Sequence, residues 1–212
     1  MPKQNGLKIL KINKRKKRFI YLISPNKIDK NFYNNLEILF QSNLIYFFQQ
    51  RFKKYSFKKN VQIGNRIKKI CKKYKVKYIV NDSPELAKKV RADGCHLGQK
   101  DMKINFARNI IKKKIIGITC HNSKKLIVKA SKYKANYIAL GAFYKSKTKK
   151  VKYFAKPSLL KWARKNINCP IVAIGGITSK NYKKLLLHKA DFLAISGYFW
   201  TKNPSRAIEE FL

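Results

Sequence analysis

Carboxylates are scarce in this chain, 9 acidic residues against 51 basic ones, so each has to be accounted for. Two of them, Asp82 and Asp101, follow short apolar runs in Tyr78-Ile79-Val80-Asn81-Asp82 and Gly94-Cys95-His96-Leu97-Gly98-Gln99-Lys100-Asp101. Two acids placed after consecutive strands suit a hard cation. Mg²⁺ is usually held by one or two carboxylates together with substrate phosphate oxygens, and cationic surroundings supply partners for those phosphates. Each aspartate could instead cap the helix that follows it, the blander role. Taken with Asn81 and the cations of the preceding strand, the pair is expected to bind Mg²⁺. A diphosphate bridged by that ion would also be stabilised as it departs.

Three further groups of residues have chemistry to offer. In Gln49-Gln50-Arg51-Phe52-Lys53, two-residue alternation along a strand would point Gln49, Arg51 and Lys53 the same way. Arg presents a planar fork to phosphate oxygens and Lys a mobile point charge, although both could be solvated surface in so basic a chain. Ser146-Lys147-Thr148-Lys149-Lys150 places hydroxyls and lysines on one loop, which suits an anionic group or a plain lysine-rich surface. Ala173-Ile174-Gly175-Gly176-Ile177 and Ala194-Ile195-Ser196-Gly197 put glycines and small residues after two late strands. Backbone amides there can approach a phosphate closely, and a tight-turn role for the glycines is compatible with that. His96 lies within an apolar run and His121 just past Thr119; neither can be named a general base from its position.

These residues need elements to hold them. Short β-branched or aromatic runs occur at 19–23, 45–48, 78–80, 94–97, 115–118, 137–140, 171–174 and 192–195. Stretches with helical spacing lie between them at 31–42, 62–73, 85–91, 103–111, 123–133, 158–165 and 181–188. Ser83-Pro84-Glu85 supplies a cap, a proline and an early acid for one helix, and Thr178-Ser179 precedes another. Eight strands alternating with helices predict a parallel sheet wrapped by helices, and eight repeats in one α/β domain favour a closed (β/α)₈ barrel. The polar residues above then share one rim, at the carboxyl ends of the strands, where barrels build active sites. The expected organisation is a basic arm over residues 1–18 and one barrel over 19–212.

Bulk composition bounds the rest. The apolar fraction of 45% is ample for a continuous core. A net charge of +42 would ordinarily suggest nucleic acid or an anionic membrane, but the surplus is spread along the chain with no single stripe. Any nucleic-acid affinity is therefore expected to be weak and to collapse with added salt; tight, sequence-selective binding at physiological salt would contradict this. Cys71, Cys95, Cys120 and Cys169 stand far apart, with no zinc-like spacing to His96, His121 or His188, which points to reduced thiols in a cytoplasmic protein. No apolar stretch approaches the roughly 18 to 20 residues of a membrane span. The basic start lacks the apolar region of a signal peptide. Small phosphorylated molecules are the expected partners, and the sequence leaves a homo-oligomer open.

Taken in order, these segments resemble the thiamine phosphate synthase and thiazole tautomerase family. The resemblance runs through Gln49-x-Arg51-x-Lys53, Asn81-Asp82, Ala92-Asp93-Gly94-Cys95-His96-Leu97-Gly98-Gln99-Lys100-Asp101 and Gly117-Ile118-Thr119-Cys120-His121. It continues through Gly141-Ala142-Phe143-Tyr144, Ser146-x-Thr148-Lys149, Ala173-Ile174-Gly175-Gly176-Ile177 and Ala190-Asp191-Phe192-Leu193-Ala194-Ile195-Ser196. It implies joining hydroxymethylpyrimidine diphosphate to hydroxyethylthiazole phosphate with release of pyrophosphate. It further implies that Gln49, Arg51, Lys53, Asn81, Thr119 and Lys149 hold the pyrimidine diphosphate, with Arg51, Lys53 and Lys149 neutralising the leaving group. Asp82 and Asp101 would bind Mg²⁺, and Ser146, Thr148, Gly175, Gly176, Ile195 and Ser196 would hold the thiazole phosphate. Thr119 stands where serine is more usual, and keeps the hydroxyl. A tautomerase of the same family would need neither Mg²⁺ nor a diphosphate clamp, so Asp82, Asp101, Arg51 and Lys53 favour the synthase.

Overall fold

Residues 18–146 and 151–212 are described by the computed structural model of the chain. Eight parallel strands close into a barrel in sequence order. They are β1 (Ile20–Ile23), β2 (Ile45–Gln50), β3 (Lys77–Asn81), β4 (Gly94–Leu97), β5 (Ile115–His121), β6 (Tyr137–Gly141), β7 (Ile171–Ile174) and β8 (Phe192–Ile195). The helices between them are α1 (Phe32–Gln41), α2 (Phe57–Lys73), α3 (Pro84–Lys89), α4 (Ile104–Ile111), α5 (Lys124–Lys132), α6 (Ser158–Asn166) and α7 (Tyr182–Leu187). Two short helices, α8 (Gly197–Trp200) and α9 (Pro204–Glu209), follow the last strand. This is the expected (β/α)₈ barrel, closed by pairing of β1 with β8.

Local chemistry explains several boundaries. Ser83 caps α3 by accepting from Leu86 N at 3.1 Å, with Pro84 in its first turn, as expected. At α2 the helix begins five residues earlier than the apolar spacing suggests, because Ser56 accepts from Lys59 N at 3.2 Å and fixes the start. Thr178 and Ser179 do not cap α7; Asn181 instead turns its Oδ1 back to Thr178 N at 2.9 Å. Strands β2 and β5 run two to three residues past their apolar runs, because the polar residues there stay paired with the neighbouring strands, Gln49 with Ile79 and Thr119 with Ala139.

The barrel has two apolar layers. One packs the outer faces of the strands against the helices. The other fills the interior with Tyr21, Phe47, Ile79, Tyr137, Ala139, Val172, Phe192 and Ala194. Its aromatic rings are mutually tilted or edge-on, with centroids 5.1 Å apart for Tyr21–Phe47 and Phe47–Phe192 and 5.5 Å for Phe47–Tyr137. That geometry suits the ring quadrupoles and makes the lower barrel a solid plug. The space for a ligand is therefore confined to the upper rim.

Two aspartates serve the fold. Asp93, before β4, accepts from Tyr78 N at 2.8 Å and pairs with Lys68 at 3.2 Å. Asp191, before β8, accepts from Ile171 N at 2.8 Å and pairs with Arg164. Asn136, before β6, does the same for Ile116 N at 2.9 Å, with Arg108 behind it. Each side chain thus clamps the start of the preceding strand. Replacing Asp93 with alanine should cost about 2 kcal/mol, the worth of a hydrogen bond to a charged group plus the orphaned amide. Urea denaturation checks this, and the rate per folded molecule should stay unchanged.

Candidate active site

Asp82 follows β3 directly and Asp101 follows β4 by four residues, and the barrel brings the two together. Neither caps a helix: Ser83 does so for α3, and at α4 the cap position is Lys103, with no side-chain cap. The carboxylates are thereby left to face one another, close enough for each to shift the other's protonation. Backbone shape places them. Asp82 sits at φ +64°, a left-handed conformation that Asp tolerates better than most residues, and its N–H donates to His96 O at 2.8 Å. Asp101 Oδ2 accepts from Gly98 N at 2.7 Å.

Cations complete this corner. Lys53 Nζ lies 2.8 Å from Asp82 Oδ2. Burial raises the Asp82 carboxyl, but hydrogen bonds from Lys53 and Asp101 and the charge of Arg51 outweigh it, holding Asp82 below the ordinary range. Burial and then the neighbouring Asp82 push Asp101 the other way, against the Gly98 N–H. Two carboxylates in contact thus compete for one proton, a mismatch that a divalent cation would relieve. Among the described residues no group of three or more His, Cys, Asp or Glu side chains could hold a metal, so a cation here would rely on two carboxylates and oxygens from elsewhere. That donor set fits Mg²⁺.

Strand alternation does not explain the approach of Lys53. Strand β2 ends at Gln50, and Lys53 lies in the turn beyond it. Asn60, at the first turns of α2, holds that turn. Its Nδ2 donates to Tyr55 O at 2.9 Å, Ser56 O at 3.2 Å and Phe52 O at 3.3 Å, and its Oδ1 accepts from Gln50 Nε2 at 2.9 Å. Asn60 is buried and went unnoticed in the sequence, since one Asn among helical lysines carries no signal. Asn60→Ala should cost about 3 kcal/mol, leaving several buried backbone carbonyls unpaired, and loosen the Arg51–Lys53 segment. Thermal unfolding and the apparent Kd for pyrophosphate would both register it.

Gln49 and Asn81 face the barrel interior, in step with Phe47 and Ile79 two positions below them, and Thr119 faces it above Gly117, where it meets His96. His96 lies among them on β4, buried, with Nδ1 2.9 Å from Tyr137 Oη and Nε2 2.8 Å from Thr119 Oγ1. Burial lowers its pKa to about 4, so the ring is neutral at physiological pH. A histidine that is charged when unfolded and neutral when folded makes stability fall with pH. The loss should begin near the ordinary value of about 6.5, level off near 4 and reach about 3 kcal/mol. Denaturation at pH 7 and pH 4.5 checks this, by difference from His96→Gln. His121 ends β5 at φ +52° with its ring tilted 38° against Tyr153, centroids 4.6 Å apart, at the same mouth.

The opposite side of the rim is built from the loops after β6, β7 and β8. Gly175 and Gly176 have φ of +103° and +62°. A Cβ on Gly175 would lie 2.3 Å from Ala142 Cβ, and one on Gly176 2.1 Å from Lys145 O. The glycines are required because the loop after β6 lies against them, joined by Phe143 N to Ile174 O and Tyr144 N to Gly175 O, both at 3.1 Å. Ser146 continues that loop; Thr148 and Lys149 lie outside the described residues. Ile195 turns its side chain into the helix-side core, so only its backbone could meet a ligand. Ser196 Oγ donates to Ser24 O at 3.1 Å, and Ser24 Oγ in turn accepts from Arg51 N at 2.9 Å.

Fold and site together define a (β/α)₈-barrel protein of the enzyme type, with its polar and charged residues gathered where barrel enzymes hold their substrates. Comparison with known proteins gives the family. Residues 20–198 match the model of the thiamine monophosphate synthase family, and the chain belongs to that family. It is 57% identical to the thiamine-phosphate synthase of Pelagibacter ubique over 94% of this chain and 97% of that one. With the enzyme of the same name from Erythrobacter litoralis the identity is 37%, over 91% and 92%. Among solved structures, thiamine phosphate pyrophosphorylase from Pyrococcus furiosus superposes with a TM-score of 0.82 at 25% identity, covering 93% of this chain and 95% of that one.

Proposed function

We propose that this chain is a thiamine-phosphate synthase, joining hydroxymethylpyrimidine diphosphate to hydroxyethylthiazole phosphate. The observation that carries the reading is the Asp82–Asp101 pair beside Lys53 at the rim of a barrel belonging to this family. A tautomerase acting on the thiazole phosphate alone would have no use for that corner, and the relatives give it no support.

In this reading Gln49, Asn81 and Thr119 hold the pyrimidine ring at the barrel mouth, and Arg51, Lys53 and Lys149 surround its diphosphate. Gly175, Gly176 and Ser196, with the backbone of Ile195 and the hydroxyls of Ser146 and Thr148, hold the thiazole phosphate opposite. Asp82 and Asp101 would hold Mg²⁺, which when bound supplies charge neutralisation to the departing diphosphate. The C–O bond of the pyrimidine CH₂ breaks with its electron pair going to pyrophosphate, and the thiazole nitrogen supplies the pair for the new C–N bond. The aminopyrimidine stabilises the developing cation, so the protein need supply only leaving-group charge balance and close approach. No covalent nucleophile is involved. The buried or half-buried free thiols Cys71, Cys95, Cys120 and Cys169 accord with a reducing, cytoplasmic setting. Among the described residues no helix is long and apolar enough to cross a membrane.

Incubation of the protein with both substrates and Mg²⁺, followed by mass detection of thiamine phosphate, tests the reading. Product that vanishes when either substrate is omitted is expected. Turnover of the thiazole phosphate without the pyrimidine would transfer the assignment to the tautomerase.

A further inference from the structure

Five side chains form one hydrogen-bonded line across the barrel interior, and three of them have no place in the mechanism above. Gln49 Nε2 lies 2.9 Å from Tyr21 Oη, and Tyr21 Oη 2.7 Å from Tyr137 Oη. Tyr137 Oη lies 2.9 Å from His96 Nδ1, and His96 Nε2 2.8 Å from Thr119 Oγ1. The line crosses from β2 through β1, β6 and β4 to β5. Its two ends are the residues read above as holding the pyrimidine, so the inference rests on that reading.

The orientation of the Gln49 amide sets its direction. The Gln49 amide N–H donates to Tyr21, so the Tyr21 hydroxyl gives its one proton to Tyr137. Tyr137 then donates to His96 Nδ1, which makes Nδ1 the acceptor and leaves the ring proton on Nε2. That proton goes to Thr119 Oγ1, and the Thr119 hydroxyl is left to donate elsewhere. An imidazolium would donate at both nitrogens, turn Tyr137 towards Tyr21 and leave the Tyr21 proton without an acceptor. Tyr21 and Tyr137 are almost wholly buried, so an orphaned hydroxyl there would be costly.

We propose that Tyr21, Tyr137 and His96 are positioning residues that set the polarity of the substrate mouth: Gln49 is held with its carbonyl oxygen as acceptor and Thr119 with its hydroxyl as donor. A ring with an amino group and a ring nitrogen acceptor, as in an aminopyrimidine, needs that complementary pair. A pyrimidine bearing oxo in place of amino would present the wrong partner to Gln49.

Two measurements decide it. In the unmodified protein with ¹⁵N-labelled histidine, long-range ¹H–¹⁵N correlation should show His96 as the Nε2–H tautomer, assigned by its loss in His96→Gln; an Nδ1–H tautomer or an imidazolium at pH 7 overturns the proposal. In Tyr137→Phe, which removes one hydroxyl from the middle of the line, calorimetry should show about 10-fold weaker binding of hydroxymethylpyrimidine diphosphate with binding of thiazole phosphate unchanged. Unchanged affinity for the pyrimidine, or an equal loss for both ligands, overturns it. A wild-type chain that binds the pyrimidine diphosphate yet makes no thiamine phosphate fails the functional reading alone.

Discussion

Asp101→Asn and Asp82→Asn are each expected to lower thiamine phosphate formation by about 10³-fold, roughly 4 kcal/mol of transition-state stabilisation, while the barrel stays folded. Asparagine is chosen over alanine because Asp82 sits at φ +64°, where Asn is tolerated and Ala is strained. The stability effect should be small: at Asp101 the substitution relieves repulsion from Asp82, and at Asp82 it gives up only the partly exposed ion pair with Lys53. Activity and stability therefore separate at this pair, whereas at Asp93 they separate the other way, with stability lost and the rate kept. Steady-state kinetics and urea denaturation on the three variants give a complete pattern. Equal losses of rate for Asp93 and Asp101 variants would mean that the acids act only through the fold. Mg²⁺ binding should also weaken as pH falls. Asp101, held above the ordinary carboxylate range by burial and by Asp82, is the first of the two to be protonated as pH falls, and its charge is then lost to the cation.

Gly117→Ala is expected to cost at least about 3 kcal/mol of folding stability. A Cβ there would lie 1.9 Å from Tyr137 Cζ and 2.3 to 2.4 Å from the adjacent ring carbons, far inside van der Waals contact. The ring has nowhere to move. It is fully buried, packed on Phe47 and Tyr21, and its hydroxyl is tied to Tyr21 and His96. Combining Gly117→Ala with Tyr137→Leu should recover part of the loss, because the smaller side chain leaves room for the methyl group. Urea midpoints for the two single variants and the double variant measure that coupling; additive losses would show that the clash is not with Tyr137.

The barrel was legible in the sequence because its outer layer obeys simple rules. Every strand coincided with one of the short runs read from the sequence, all but β4 of them β-branched or aromatic, and Ser83-Pro84 marked α3 as read. The candidate pair was legible through scarcity: in a chain this basic, Asp82 and Asp101 stood out, and the barrel places them near enough to shift each other's protonation. Other features depended on three-dimensional neighbours. Gly117 was visible as part of a motif, but the ring that demands it is twenty residues away on β6. Tyr21 and Tyr137 looked like ordinary strand aromatics, and only closure of the barrel joins their hydroxyls to Gln49 and His96. Lys53 was expected to follow strand alternation, whereas a turn pinned by Asn60 delivers it.

The measurement that bears most directly on the central claim follows pyrophosphate and thiamine phosphate together as Mg²⁺ is titrated into the protein with both substrates present. The account predicts the two products in equal amounts, rising with Mg²⁺ to saturation and falling to background in Asp101→Asn. Equal product with excess chelator, or pyrophosphate released without thiamine phosphate, would contradict it.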